Sequence, residues 1–214
     1  MMSNEKRARV VRAGAQIEPS EAADLLGEFS ALLRQLGSPL IPLGAGGLGQ
    51  GESIKEFLEA YLANALLPVE LPAIAEACEH TRRGELRELI AQDQRLAEPL
   101  ERTPFAGPSA QVGRLQLARL RPLRDERMVQ RYLAAVDRRE ARGWHTLVYG
   151  MTLAVYSLPL RQGLLYYAQE TLLALAGAAG RSKNMTEADL GVMLETLMAR
   201  VPEAAAAALA QCPA

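Results

Sequence analysis

The residues with the strongest claim to chemistry lie in one glycine- and proline-rich segment, Ser38 to Gly51. Residues 44–49 read Gly-Ala-Gly-Gly-Leu-Gly and match G-x-G-x-x-G, and Glu70 lies about twenty residues further on, where dinucleotide-binding folds place a ribose-binding acid. That fingerprint binds pyrophosphate only between a strand and a helix, and Pro39 and Pro42 interrupt the would-be strand. We therefore interpret the segment as a shaped surface loop on which a partner docks, with a plain linker as the alternative.

The candidate metal ligands are few and badly spaced. Cys78 and His80 are two residues apart on a predicted helix, so they point to different faces and make a poor ligand pair. We expect a buried thiol and a surface imidazole there, and His145 has no ligand-like neighbour. The chain also lacks Gly-x-Ser-x-Gly and His-Glu-x-x-His. The sequence therefore predicts neither an enzyme nor a metal centre.

The densest charge feature is a run of arginines between residues 114 and 142. Acidic residues alternate with them (Asp125, Glu126, Asp137 and Glu140). We favour solvated helix faces with internal ion pairs over a patch for an acidic partner or a phosphate. The formal net charge of the chain is −1 and its aromatic residues fall on apolar faces, so nucleic-acid binding is not expected. The arginines are Arg114, Arg119, Arg121, Arg124, Arg127, Arg131, Arg138, Arg139 and Arg142.

The elements that must position these residues are all predicted to be helices. The 214 residues are rich in alanine and leucine and only 5% aromatic, which favours helix over strand. Apolar periodicity predicts an all-α fold of about ten short helices in a single domain, residues 20–211, behind a flexible basic tail, residues 1–19. The predicted helices span roughly 20–36, 53–66, 70–83, 85–97, 110–120, 125–142 and 144–157, then one that begins at Pro159 and contains Gly177 and Gly180, one over 186–198, and a last alanine-rich helix after Pro202.

The cellular context is predicted from absences in the sequence. Cys78 and Cys212 are too few and too far apart for a disulfide framework, which fits a reducing cytosol. Residues 1–12 are basic but carry no apolar stretch of the secretory type, and no long charge-free apolar run is present. We expect a cytoplasmic protein that binds no membrane.

Two separated stretches together resemble the urease accessory protein family UreF. The first matches a Ser-Pro-x-x-Pro-x-Gly-Ala signature that continues to Gln-Gly, and the second matches an aromatic-Gly helix, Leu-Pro and a Tyr helix that leads to Arg. Gly113 is a weaker third match. This chain departs from the family at residues 46–49, at the acid after Gln-Gly and at residues 182–185. The matching residues are Ser38, Pro39, Pro42, Gly44, Ala45, Gln50 and Gly51, then Tyr149, Gly150, Leu158, Pro159, Tyr167 and Arg181.

The resemblance implies a function as well as a UreF-like helical bundle. Members of the family are non-catalytic homodimers that bridge a UreD-type scaffold and a nickel-carrying UreG-type GTPase, and the assembly loads nickel into the urease apoprotein. The implied partner-binding residues are Pro42, Gly44, Gln50, Gly51, Glu52 and Arg181, and nickel is handled by the partners, so no cofactor of its own is expected. We expect Tyr149 and Tyr167 in the core. The alternative is a helical partner-binding or regulatory protein of the same fold that serves another assembly.

Overall fold

Helices account for the regular structure of the part of the chain that the computed structural model describes, residues 54–101, 106–183 and 187–211, which contains no strand. The all-α prediction is therefore confirmed. In chain order the elements are α1 (Ile54–Tyr61), a π-helical segment π1 (Leu62–Glu70), α2 (Leu71–Arg83), α3 (Leu86–Glu101), α4 (Ala106–Leu120), α5 (Arg127–Asp137), α6 (His145–Val155), α7 (Leu160–Lys183), α8 (Glu187–Met198) and α9 (Val201–Ala210).

The break predicted near Pro68 does not occur. The segments α1, π1 and α2 form one continuous helix of 30 residues, with Pro68 inside the π-helical part. At its end the Leu71 amide bonds to the Leu66 carbonyl, five residues back. Proline disrupts the four-residue register of an α-helix, and this wider register accommodates it.

The predicted helix 20–36 lies outside the described residues, and the helices predicted at 53–66 and 70–83 are this one long helix, so the described ranges do not contain the expected set of short helices. Prolines also misled the prediction of two boundaries. Helix α3 continues through Pro99 to Glu101, and its penultimate residue, Leu100, is buried. Helix α4 begins at Ala106, so Pro108 lies in its first turn, where its missing N–H costs little.

Two helices end earlier than predicted, each two residues before a residue with positive φ. Helix α5 ends at Asp137 rather than at residue 142, because Arg139 takes φ 64° and the Glu140 amide caps the Ala135 carbonyl at 2.9 Å. Helix α6 ends at Val155 in the same way, with Ser157 at φ 52°. Helix α2 ends at Gly84, φ 72°, as the sequence predicts.

Helix α6 lies at the centre of the fold. Every residue from His145 to Leu153 is buried, which confirms the prediction that an almost wholly apolar helix belongs in the core. Tyr149 and Leu153 face a hydrophobic cluster formed with α1, π1, α2, α7, α8 and α9. Leu147 and Met151 face a second cluster formed with α2, α3, α4 and α5. The core prediction for Tyr149 and Tyr167 is confirmed as well.

Glycines let two neighbours approach α6 closely. A Cβ atom at Gly150 would lie 3.0 Å from the Ala77 Cβ and 3.1 Å from the Cys78 amide nitrogen. It would also overlap the Ile74 carbonyl oxygen, so α2 and α6 touch through their backbones at this point. Gly113 of α4 similarly abuts the backbone just before α6. Two of the residues that carry the family resemblance are thus required by packing.

The continuous helix Ile54–Arg83 has the length and the apolar composition to span a bilayer. However, 56% of its most apolar window is buried against the rest of the protein. Its apolar side chains therefore serve the hydrophobic core, as expected for a long core helix.

Candidate functional site

The predicted partner-binding residues lie largely beyond the residues described. Pro42, Gly44, Gln50, Gly51 and Glu52 fall outside them, as does the predicted tail 1–19. Arg181 lies in the last turn of α7. The docking-loop interpretation therefore stays a prediction.

A buried chain of polar side chains connects the helices around α6. The Ser109 hydroxyl lies 2.7 Å from His145 Nδ1, and His145 Nε2 lies 2.5 Å from the Tyr167 hydroxyl. The Tyr167 and Tyr61 hydroxyls both donate to the Glu70 carboxyl group, at 2.8 Å to Oε2. All five residues are buried. The chain thus joins α4, α6, α7, π1 and α1 through hydrogen bonds inside an otherwise apolar core.

Burial determines the ionisation of His145. It lowers the pKa of the imidazole to about 4, so the ring is neutral at physiological pH and carries one N–H. Because the Tyr167 hydroxyl donates to Glu70, the consistent assignment has His145 Nε2–H donating to Tyr167 and Nδ1 accepting from Ser109. Every donor in the chain then points towards Glu70.

Glu70 is the acceptor at the end of this chain. Burial raises the pKa of its carboxyl group, and the hydrogen bonds from Tyr167 and Tyr61 act in the opposite direction. Its carboxyl group is enclosed by the two tyrosines, so it is not the ribose-binding acid that its distance from residues 44–49 suggested. Glu70 therefore belongs to the core.

Asp93 is a second buried polar centre. Its carboxyl group accepts from the Tyr132 hydroxyl at 2.6 Å and from the backbone amides of Arg142 and Gly143 at 2.6 and 2.9 Å. Its carbonyl oxygen accepts from Trp144 Nε1 at 2.9 Å. Asp93 of α3 thus fixes the backbone immediately before α6, and with it the position of the His145 ring.

These two centres organise packing between helices. In the described residues, no group of three or more histidine, cysteine and acidic side chains could hold a metal ion. Cys78 is buried, as predicted. His80 is half-buried rather than at the surface, and bonds to Glu85 at 2.8 Å and Glu76 at 3.3 Å. Fully satisfied buried networks of this kind specify one arrangement of a core.

The neutral state of His145 predicts a pH dependence of stability. Its stabilising contribution is complete above the unfolded pKa of 6.5 and is lost as the pH falls towards the folded pKa of about 4. The shift corresponds to about 3 kcal/mol. We expect the free energy of unfolding, measured by urea titration from pH 7 to 4, to fall less in His145→Gln than in the wild type.

Glu70 changes the pH dependence of stability in the opposite direction to His145. Its raised pKa means that the folded state binds this proton more tightly than the unfolded state, so acid pH favours folding at this residue. As the pH falls from 7 to 4, the free energy of unfolding should therefore decrease more steeply in Glu70→Gln than in the wild type, and less steeply in His145→Gln. Parallel slopes for both variants and the wild type would contradict this account of the buried chain.

Sequence reasoning missed Glu70, Ser109 and Asp93, although two of them left a signal. Asp93 follows Leu89 by four residues and therefore lies on the apolar stripe of α3. Glu70 stands between Val69 and Leu71 in an apolar run. A carboxylate at a core position of an amphipathic pattern indicates a buried, hydrogen-bonded acid.

The comparisons with known proteins identify the family. The UreF family model matches residues 49–197, well over half of the chain. The chain belongs to the UreF family. No curated protein and no solved structure matches it. UreF proteins are urease accessory proteins, so membership of the family implies a urease accessory function for this chain.

The matched region of this UreF protein contains both buried polar centres and the close contacts of α6. Tyr149, Gly150 and Tyr167, which carry the second half of the sequence resemblance, all lie in the core. Tyr149 donates to the Gly163 carbonyl at 2.8 Å and its ring lies 5.1 Å from that of Tyr167. These family residues therefore contribute to the packing of the core.

Proposed function

We propose that this UreF protein is a non-catalytic adaptor that bridges a UreD-type scaffold and a nickel-carrying UreG-type GTPase. The bridged assembly delivers nickel to the urease apoprotein, with the metal carried by the GTPase as cargo. We further propose that it acts in the cytoplasm as a homodimer. The observation that carries the proposal is the UreF match over residues 49–197.

The distribution of residues within the chain supports an adaptor role. The most conspicuous polar side chains of the described core, Glu70, Asp93 and His145, are enclosed and hydrogen-bonded to neighbouring helices. An adaptor acts through the surface that it offers, and a standard protein interface buries about 800 Å² per partner. We place part of that surface at the glycine segment and at Arg181.

The bridging proposal is tested by capture on an immobilised UreD-type scaffold. The UreG-type GTPase is added alone and then together with the purified full-length protein. We expect the GTPase to be retained only when this protein is present. If the scaffold binds neither this protein nor, through it, the GTPase, the bridging function is wrong. The altered residues 46–49 would then favour a helical adaptor for another assembly.

The glycine segment gives a more local prediction. Gly44→Trp, or deletion of residues 46–49, should leave the far-ultraviolet circular dichroism spectrum unchanged and weaken partner capture at least about tenfold, equal to 1.4 kcal/mol. The reason is that a docking loop contributes surface rather than core. Gly107→Trp is a useful control, because this glycine is exposed and a Cβ atom added to it would have nothing within 4 Å. Loss of helicity would show instead that the segment is needed for folding.

A further inference from the structure

Helix α4 divides cleanly into a packed face and an exposed face. Ser109, Ala110, Val112, Gly113, Gln116, Leu117 and Leu120 are buried. The residues between them, at helical spacings of three and four, are exposed: Gln111, Arg114, Leu115, Ala118 and Arg119. Leu115 keeps 47% of its surface accessible. The inner face of α4 packs against the core, and the outer face, which carries Arg114 and Arg119, is exposed.

Helix α5 and the turn before it carry further exposed arginines. The Arg121 guanidinium lies 3.7 Å from the Asp137 carboxylate, which joins the carboxyl ends of the two helices. Gln130 of α5 donates to the Arg121 carbonyl at 3.1 Å. The exposed Arg127 and Arg131 follow on α5, and Arg124 lies in the connecting turn. These contacts bring the C-terminal end of α4 against α5, so the exposed arginines of α4, the turn and α5 lie in one region of the surface.

The acidic residues that alternate with the arginines neutralise few of them. The segment 106–142 holds nine arginines and four acidic residues, a net charge of +5 in a chain whose total is −1. Ion pairs involve Arg121 with Asp137, Arg138 with Glu140, and Arg142 with Glu101. Within the described ranges, the remaining arginines of the exposed face form no ion pair. We call these five residues and Leu115 the basic face: Arg114, Leu115, Arg119, Arg124, Arg127 and Arg131.

The arrangement is unfavourable for the isolated chain. Arg127 and Arg131 are separated by four residues on α5, a spacing at which like charges destabilise a helix. The interpretation as solvated helix faces agrees with the exposure of the arginines, but the expected internal ion pairs involve three of the nine. An acidic surface placed against the basic face would relieve the repulsion and cover Leu115.

We propose that the basic face binds a carboxylate-rich surface of a partner protein, an inference that rests on the adaptor function proposed above. Arginine forms bidentate bonds with carboxylates, and interfaces combine such pairs with a central apolar contact, here Leu115. A single-stranded nucleic acid fits less well. Tyr132 is the single aromatic residue of segment 106–142 and it is fully buried, so no ring is presented for base stacking.

The test is charge reversal in the full-length protein. Arg119→Glu/Arg131→Glu changes the basic face, and Arg87→Glu/Arg200→Glu is the matched control. The control arginines are exposed on α3 and next to α9, and form no ion pair among the residues described. Circular dichroism and thermal melting establish that both variants fold. Affinity for the UreD-type scaffold and the UreG-type GTPase is then measured at 50 and 300 mM NaCl, and affinity for a fluorescent 20-base-pair DNA duplex in parallel.

We expect the basic-face variant to lose at least tenfold affinity for one of the two proteins at 50 mM NaCl, and the control variant less than twofold. The wild-type affinity should fall with salt, while that of the variant changes little. Equal affinities of wild type and both variants would overturn this inference and leave the adaptor function intact. Failure of the wild type to bind either protein would overturn both. Duplex binding that the basic-face variant alone loses would assign the face to nucleic acid and overturn the protein partner.

Discussion

Gly113→Ala is expected to destabilise the protein by about 3 kcal/mol, the upper part of the usual range for overpacking. The added Cβ atom would lie 2.7 Å from the His145 amide nitrogen and 2.8 Å from the Trp144 carbonyl carbon, and would overlap the Gly143 carbonyl oxygen. All three neighbours are backbone atoms, so no side-chain rotation can make room. Urea unfolding followed by circular dichroism measures the change.

Gly191→Ala is the matched control for this prediction. Gly191 also lies within a helix, α8, but nothing stands within 4 Å of a Cβ atom there. Since alanine is about 1 kcal/mol more favourable than glycine in a helix interior, this variant should be stabilised. Opposite signs for the two glycine-to-alanine changes are expected. A stable Gly113→Ala variant would contradict the close contact between α4 and the start of α6.

Asp93→Ala should cost about 3–5 kcal/mol, because it leaves several buried donors without an acceptor. The side chain accepts three hydrogen bonds, from the Tyr132 hydroxyl and from the amides of Arg142 and Gly143. The turn that these bonds fix leads directly into α6. We therefore expect loss of cooperativity as well as loss of stability, measured as a lower urea midpoint and a shallower transition.

Tyr132→Phe separates the role of the carboxyl group from that of its side-chain donor. It removes one of the three hydrogen bonds and keeps the buried ring, so about 1 kcal/mol is expected. If Asp93→Ala were no more destabilising than Tyr132→Phe, the bonds from Asp93 to the turn would contribute nothing. The proposed control of α6 by this turn would then be wrong.

The sequence was sufficient for the fold class and for the central helix. Helix α6 is apolar on all sides, and the flanking segments repeat apolar residues at helical spacing. Both patterns are local, and they predict structure reliably because each segment must bury its own apolar residues. Prolines were the main source of error. Pro68 lies inside a π-helical segment and Pro99 lies near the end of α3, where tertiary packing overrides the local preference, whereas Pro108 lies in the first turn of α4, where proline is tolerated.

The buried polar centres could be predicted only in part. The position of Asp93 on an apolar stripe is visible in the sequence, but its partners are 39 to 51 residues away along the chain. The chain from Ser109 to Glu70 joins segments up to 97 residues apart. Which donors meet which acceptors depends on helix packing, and no spacing rule encodes it. The family resemblance identified residues such as Gly150 without indicating that a backbone contact requires them.

For the basic face, the sequence suggested more internal ion pairs than the described part of the structure contains. Counting alternating charges in the sequence suggested that the arginines are neutralised locally, because position along the chain says little about which side chains reach one another. The structure brings only some of the acids within reach, and the exposed stripe of α4 becomes visible once its inner face is known. The partner-binding function therefore has to be tested by substitutions at exposed residues such as those of the basic face.

The nickel content of urease tests the central claim most directly. Cells carry urease with all its accessory genes, with or without the gene for this protein, and urease is purified from each and analysed for nickel by mass spectrometry. We predict nearly nickel-free urease without the gene and full nickel occupancy when it is restored. Equal nickel content in both preparations would contradict a role in urease maturation.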